Sequence, residues 1–310
     1  MTRFAIAPNL SPSSSRSNLR MRARLIHSFI TVILTVLLGG LIAAALVRRS
    51  PGYAVDEREF DARYGQDSIR RIRQESKPSE HGVLTDYLRF LARALTGDLG
   101  ISASFRRPVA ALIAERFPQT LASAGAGLGL GWVLGMLFAL AAALSHRGID
   151  LCNSALAAFF LCLPSSVLAL GMGLAGRLDE KKAAAVVIAL VIFPRVFRYA
   201  RAVLGRVASA PHVLMARARG VGTSRLVWAH LVRPCAPAML ALLGVSVSVA
   251  FGAAIPIEVL CDSPGLGQLA WQAALKRDLP LLVDITLLVS LVASVSGLAA
   301  EIVRSSTAPS

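Results

Sequence analysis

Six long apolar stretches alternate with shorter polar segments along this chain. Each is close to the ~20 residues that an α-helix needs to cross a ~30 Å hydrocarbon layer. The stretches are Leu25–Val47, Thr120–Leu144, Cys152–Gly176, Ala183–Tyr199, Ala238–Leu260 and Leu281–Val303. This pattern predicts an all-α polytopic membrane protein with six transmembrane helices.

The composition agrees with a membrane protein and argues against a soluble one. Of the 310 residues, 55% are hydrophobic and only 16% are charged, whereas roughly a quarter of the residues in a soluble domain are charged. The polar segments are too short to cover six buried core helices. The first stretch has an apolar core of about 22 residues, longer than the 7–15 of a signal peptide. We therefore interpret it as a retained transmembrane helix.

The net charge of +15 points at first towards nucleic acid, but its distribution gives another explanation. Two segments without any acidic residue hold thirteen of these charges, namely the tail before the first stretch and residues 194–237. Short loops rich in Lys and Arg stay on the cytoplasmic side of a membrane. With six crossings, the two segments share one side, so both termini are predicted to be cytoplasmic. No nucleic-acid partner is needed to explain the charge.

These assignments divide the chain into five parts. They are a cytoplasmic basic tail (1–24), a first transmembrane helix (25–47), an external region (48–119), a five-helix core (120–303) with a cytoplasmic loop (200–237), and a cytoplasmic tail (304–310). Within the external region, apolar residues at helical spacing predict two short amphipathic helices. One runs from Leu84 to Leu95 and stops at Gly97; the other runs from Val109 to Phe117 after Pro108, which suits a first helical position.

No motif in the sequence indicates catalysis or cofactor binding. The GxxxxGK[ST], HExxH and GxSxG patterns are absent, and the four cysteines have no metal-ligand spacing. Gly127, Gly131 and Gly135 recur every four residues in an apolar stretch, which places small residues on one helix face where another helix can approach closely. We therefore predict no catalytic residue, no metal site and no cofactor, and we interpret these glycines as a packing surface.

Residues 211–237 read as two helices broken at Gly220-Val-Gly222. Gly220 suits the left-handed residue that ends a helix, and Thr223 or Ser224 suits a helix N-cap. Six apolar side chains are available for packing: Val213, Met215, Ala216, Leu226, Val227 and Leu231. The arginines are expected to face solvent or acidic partners. A cytoplasmic helix-turn-helix without an ATPase motif indicates a docking element.

The same segment carries a resemblance to a known family. Its Ala216-Arg-Ala-Arg-Gly220 run resembles the EAA coupling loop of permease subunits of binding-protein-dependent ABC importers, in the dipeptide, oligopeptide and nickel branch. Three further stretches are similar to motifs of that branch, in the right order: 97–121, Leu163-Pro164-Ser165, and 257–267 followed by 276–280. The resemblance covers about residues 85–300 and is to the first permease of the pair. Departures lie at Pro211-His212, Leu260-Cys261, Pro256 and the short 177–182 loop.

The resemblance implies a multi-pass subunit of the bacterial inner membrane that lines half of a translocation path. Its expected partners are a second homologous permease, two cytoplasmic ATPases that use ATP, an external solute-binding protein and membrane lipids. The chain itself would bind no cofactor and hydrolyse nothing. The resemblance places ATPase coupling on Ala216, Arg217, Ala218, Arg219, Gly220 and Gly222. A rival role for the arginines is to hold anionic lipid headgroups, at about 1 kcal/mol each.

The resemblance also implies an external gate or binding-protein contact. Its residues are Glu258, Asp262, Pro264, Gly265, Gly267 and Asp278. An acidic residue inside an apolar stretch is a functional candidate by default; the alternative for Glu258 is an ion pair with Lys276 or Arg277 that fixes the external loop.

Two other classes of function remain open at this point. A non-transporting scaffold or sensor on a degenerate permease frame would fit the departures. A membrane-embedded enzyme needs convergent polar residues within the stretches, which offer little beyond Glu258 and Asp284. The solute is also open: a dipeptide, a longer peptide, nickel or another small solute.

Overall fold

The computed structural model describes residues 13–49, 83–144, 147–176 and 179–307. This part of the chain forms ten helices and no strand, with one isolated bridge between Ile101 and Pro108. The helices are α1 (Ser13–Arg49), α2 (Val83–Leu95), α3 (Val109–Leu144), α4 (Arg147–Cys162), α5 (Ser165–Ala175), α6 (Glu180–Ala208), α7 (Pro211–Ala218), α8 (Thr223–Leu260), α9 (Leu266–Leu275) and α10 (Leu279–Thr307). The predicted all-α class is confirmed.

Five helices are long and apolar enough to cross a membrane on their own: α1, α3, α6, α8 and α10. The third predicted stretch, Cys152–Gly176, is instead divided into α4 and α5, which meet at an angle of 91°. Pro164 sits at the break with an extended backbone, because proline lacks the amide that would continue the helix. The prediction of one continuous helix there is wrong.

The bent pair α4–α5 still connects the two ends of the bundle. Near the start of α4, Asp150 forms an ion pair with Arg201 in the last third of α6. On α5, the carbonyl of Ala169 accepts the thiol of Cys261, which follows the end of α8, at 3.8 Å. The structure therefore has five candidate crossings, or six when the bent pair is counted as one.

The first, fifth and last crossings fix which segments share an end. Ser28 on α1 donates to Glu301 near the end of α10 at 2.6 Å, and Ser248 on α8 donates to the carbonyl of Ala293 at 2.8 Å. The start of α1, the start of α8 and the end of α10 therefore lie together, at the end that holds residues 209–222. We call this the coupling end; residues 261–278 lie at the opposite end. Which side of the membrane each end faces stays a prediction.

The predicted glycine packing surface is confirmed at the contact of α3 with α6, the most buried helix. A Cβ atom at Gly131 would lie 2.9 Å from the carbonyl oxygen of Ala189. Equivalent atoms at Gly127 and Gly135 would lie 2.6 Å and 2.7 Å from β-carbons of α6. The two backbones approach so closely because these three positions have no side chain.

Several predicted boundaries differ from the structure. The predicted helix at Val109–Phe117 is not separate: it is the beginning of α3, so the predicted border between residues 119 and 120 falls inside a helix. Val109 and Leu112 are buried in one cluster with residues of α9 and α10, and the helix continues through Pro118. The helix predicted at Leu84–Leu95 is confirmed. Parts of the predicted tails and of the external region, at 1–12, 50–82 and 308–310, lie outside the described residues, as does part of the 177–182 loop.

Candidate functional site

The predicted break at the coupling end is present and has a defined hydrogen-bond pattern. Helix α7 ends at Ala218, and Gly220 adopts φ +72°. The amide of Val221 donates to the carbonyl of Ala216 at 3.2 Å, and that of Gly220 donates to Arg217 at 3.0 Å. This is the Schellman motif, in which a left-handed residue turns the chain sharply and satisfies the last carbonyls of the helix.

One side of α7 holds it on the bundle. Val213 and Ala216 are buried in a cluster with Phe197 and Leu204 of α6 and Leu231 of α8. The predicted packing of Met215 is wrong: 57% of its surface is exposed, because it lies on the outer side of α7, away from Val213 and Ala216.

The start of α8 also differs from its prediction. Its N-cap is Gly222, without a side-chain hydrogen bond, so neither Thr223 nor Ser224 caps it. The carbonyl of Gly222 accepts the amide of Leu226 at 3.0 Å, which begins the helix through the backbone alone.

Helix α8 continues without interruption from the coupling loop to the opposite end. Its segment Leu226–Val232 is a π-helix, in which the amide of Arg233 reaches the carbonyl of Trp228. A wider turn relieves the clash that Pro234 would otherwise cause with a preceding carbonyl. One element of 38 residues, Thr223–Leu260, thus joins the two predicted sites.

At the opposite end, the carboxylate of Glu258 is fully buried among donors from two other segments. It accepts the hydroxyls of Thr120 and Ser123 on α3, both at 3.1 Å, and the amide of Gly267 on α9 at 2.8 Å. The predicted ion pair with Lys276 or Arg277 is wrong: Glu258 binds neutral donors, and the Lys276 ammonium lies 4.7 Å from the centre of the Phe105 ring.

Sequence reasoning missed Thr120 and Ser123. Two hydroxyl residues three positions apart on an apolar helix were the available signal, since such residues share a helix face. Thr120 also accepts the amide of Leu266 at 2.7 Å. Glu258 and Thr120 therefore join α3, α8 and α9 in one hydrogen-bonded cluster.

Glycine is required at positions 265 and 267 because the backbone there lies very close to α8. A Cβ atom at Gly265 would lie 2.3 Å from Oε2 of Glu258, and one at Gly267 would lie 2.4 Å from the carbonyl oxygen of Ile255. The backbone of Gly265, at φ −103°, is one that any residue adopts. The glycines let the 264–267 turn lie directly on Glu258.

The other predicted residues of this end lie elsewhere. Asp262 is exposed at φ +54° and accepts the side-chain amide of Gln268. Pro264 lines an open surface groove with Glu115, Arg116 and Lys181. These two residues are the ones that face solvent.

Asp278 forms a second buried cluster. Its carboxylate accepts the hydroxyl of Ser102, the amide of Ser104 at 2.9 Å and the amide of Leu281 at 3.4 Å. It thereby caps the start of α10 and fixes the loop before α3. The six predicted residues thus divide into a Glu258 cluster with two glycines, an Asp278 cluster and two surface positions. No group of His, Cys, Asp and Glu that could hold a metal occurs within the described ranges.

Residues 131–308, more than half of the chain, match the family model of the binding-protein-dependent transport system inner membrane component. The chain belongs to this family. This permease is 27% identical over 265 residues to a putative peptide permease protein of Brucella suis, covering 77% of this chain and 80% of the relative. It is 28% identical to the glutathione transport system permease protein GsiC of Pectobacterium atrosepticum, covering 79% and 83%. It is 27% identical to the oligopeptide transport system permease protein OppB of Escherichia coli K12, covering 67% and 73%.

Membership establishes the general role. The chain is a multi-pass transmembrane permease subunit of an ABC importer in the bacterial inner membrane. It is a transport component rather than an enzyme, and the family implies an ATPase and a solute-binding protein as partners.

Proposed function

We propose that this permease forms half of a translocation path for a peptide-like solute, together with a second homologous permease. Two cytoplasmic ATPases bind and hydrolyse the ATP, an external binding protein delivers the solute, and this chain binds no cofactor. The peptide-like solute is supported by the relatives, whose names refer to peptides, glutathione and oligopeptides.

The outer surface of the coupling end supports the proposed contact with the ATPases. Leu214 is 54%, Met215 57% and Trp228 71% exposed, while Arg217 and Arg219 beside them are also exposed. Exposed apolar side chains combined with arginines are typical of protein interfaces, where Trp and Arg dominate the binding energy. We therefore assign this surface to the ATPase.

Each coupling residue then has a distinct role. Ala216 is buried and seats α7 on the bundle, while Gly220 and Gly222 bracket the turn that starts α8. Ala218 and the two arginines face outwards. Movement of this loop acts on α8, a helix about 57 Å long that carries Glu258 in its last turn.

At the other end of α8, the buried clusters and the surface positions have different proposed roles. Glu258, Gly265 and Gly267 join α8 to α3 and α9, so they are positioned to pass movement of α8 to the external loops. Asp278 anchors the neighbouring loop. Asp262 and Pro264 are the candidates for contact with the binding protein, because they reach the surface.

The test of coupling uses the backbone of Gly220. Gly220→Val places a β-branched residue at φ +72°, although a Cβ there would meet nothing within 4 Å. The penalty therefore falls on the turn alone, at roughly 1–2 kcal/mol. We expect normal insertion, loss of ATPase co-purification and loss of ATP-dependent uptake of labelled peptide.

Two matched variants accompany this test. Gly220→Asn should retain most activity, because asparagine tolerates the left-handed region. Gly205→Val, on α6 with open space around it, should behave as wild type. Normal ATPase binding and uptake by Gly220→Val would contradict the coupling role. A wild-type complex that binds ATPases and imports no solute would favour the scaffold.

A further inference from the structure

Arg195 stands at the middle of α6, a helix of 29 residues. At 1.5 Å per residue the helix is about 43 Å long, so its midpoint falls within a ~30 Å hydrocarbon layer that the helix crosses. Arg195 therefore belongs to the crossing itself, and not to the cytoplasmic segment in which the charge pattern counts it. The Arg195 side chain is nevertheless exposed on the surface of this subunit. A charged side chain at that depth is costly against lipid and normally faces a water-filled cavity or the bundle interior. Its exposed face therefore points to an aqueous path.

The face of α6 that carries Arg195 changes from buried to exposed at that residue. Residues at helical spacing towards the start of α6 are buried: Ala184, Ile188 and Val191. Ile188 lies against Gly127 of α3, and the same buried cluster includes Ala250, Ala254 and Ile257 from the second half of α8. Residues at the same spacing towards the coupling end are exposed: Arg198, Ala202 and Arg206. The face is thus closed on one half and open on the other, as in a path open towards the coupling end.

The Arg195 guanidinium points along α6, away from the coupling end. It donates to the carbonyl of Val191, one turn further from the coupling end. Headgroups at the coupling-end surface lie in the opposite direction. Arg201, on the neighbouring face, is paired with Asp150. No carboxylate of the described residues pairs with Arg195 or Arg198, so both keep donors for a ligand.

Building on the peptide-import function proposed above, we propose that Arg195 and Arg198 line the translocation path and bind a carboxylate of the passing solute. A guanidinium binds a carboxylate through two parallel hydrogen bonds and keeps its charge at all working pH values. Two fixed positive charges disfavour a bare metal cation on the same path. The solute class is therefore a peptide with a free carboxylate rather than nickel.

The test compares two probes in proteoliposomes that contain the complete importer with its binding protein. Trialanine carries a terminal carboxylate, and trialanine amide does not. The variants are R195Q and R195K, with R89Q as a control, since Arg89 is an exposed arginine on α2, outside the α6 face that carries Arg195. R195Q should lower trialanine uptake about ten- to a hundredfold, the value of a charge-assisted hydrogen bond, and should leave amide uptake unchanged. R195K should recover part of the loss.

Comparing each variant with wild type for the same probe removes any preference of the binding protein itself. An equal loss of both probes in R195Q, or a selective loss of trialanine uptake in R89Q, overturns the inference. So does an effect of R195Q that disappears when phosphatidylglycerol is replaced by phosphatidylcholine, which would assign Arg195 to lipid. If wild type imports neither probe, the proposed peptide function fails instead.

A labelling measurement tests whether Arg195 lies on an aqueous path, independently of which solute is transported. R195C and, as the buried control, I188C are made in a background with C152A, C162A, C235A and C261A. The impermeant anionic thiol reagent MTSES is added to vesicles from the coupling-end side. We expect rapid labelling of R195C and none of I188C. An unlabelled R195C overturns the inference, even if peptide import itself is demonstrated.

Discussion

Gly265→Ala gives the sharpest test of the buried Glu258 cluster. The added Cβ would lie 2.3 Å from Oε2 and 2.4 Å from Cδ of Glu258. Because Gly265 has φ −103°, alanine fits the backbone there. The whole penalty therefore comes from displacing the carboxylate, and not from strain in the turn.

The magnitude follows from the hydrogen bonds that the carboxylate gives up. They reach the amide of Gly267 at 2.8 Å and the hydroxyls of Thr120 and Ser123 at 3.1 Å. Each hydrogen bond to a charged group contributes about 1.5–3 kcal/mol, so losing one or two lowers the free energy of unfolding by about 1.5–6 kcal/mol. On a Glu258→Ala background the new methyl enters vacated space, and its cost should fall below about 1 kcal/mol.

The assay is SDS titration of the purified permease in mixed micelles, followed by circular dichroism. Gly265→Ala, Glu258→Ala and the double variant complete the cycle. Gly252→Ala, on the same helix as Glu258 with nothing within 4 Å, is the control and should be neutral or slightly stabilising. Additive effects of Gly265→Ala and Glu258→Ala would refute the steric argument.

Two further predictions concern packing and the second cluster. Gly131→Val forces a side chain into the α3–α6 contact and should cost at least about 1–3 kcal/mol; its thermal unfolding temperature should fall, while that of Gly129→Val, which meets nothing within 4 Å, should change little. A Gly131→Val protein as stable as wild type would contradict the close contact. Asp278→Asn weakens acceptance from Ser102 and Ser104 and should cost about 1–2 kcal/mol. Limited proteolysis should then cut the 98–108 loop faster, and an unchanged rate would contradict the anchor.

The coupling loop was predictable because its signals are local. Gly220 follows a short amphipathic run, and a residue in the left-handed region is needed there whatever surrounds it. The glycine face of α3 was predictable for a similar reason, since its four-residue period exists before any partner helix is present. Met215 was not predictable: an apolar residue on a short helix is buried or exposed according to where the helix docks, and the docking is set by Val213 and Ala216.

The Glu258 cluster shows that local sequence signals do not reveal hydrogen-bond partners from distant parts of the chain. The sequence displays an acid near two basic residues, which suggests an ion pair. In the structure Glu258 binds Thr120 and Ser123, more than 130 positions earlier. Burial removed water from the carboxylate, and nearby neutral donors satisfied it instead.

Hydrophobic length and charge placement by themselves determined the class of this protein, its five or six crossings and the shared end of its basic segments. These properties follow from transfer into a hydrocarbon layer, to which every residue contributes independently of its neighbours. Tertiary structure alone decided the long rod α8, the donors of Glu258 and the half-open face that carries Arg195. Those features depend on which helix faces meet, and contacts between distant segments of a chain have no signature in the local sequence.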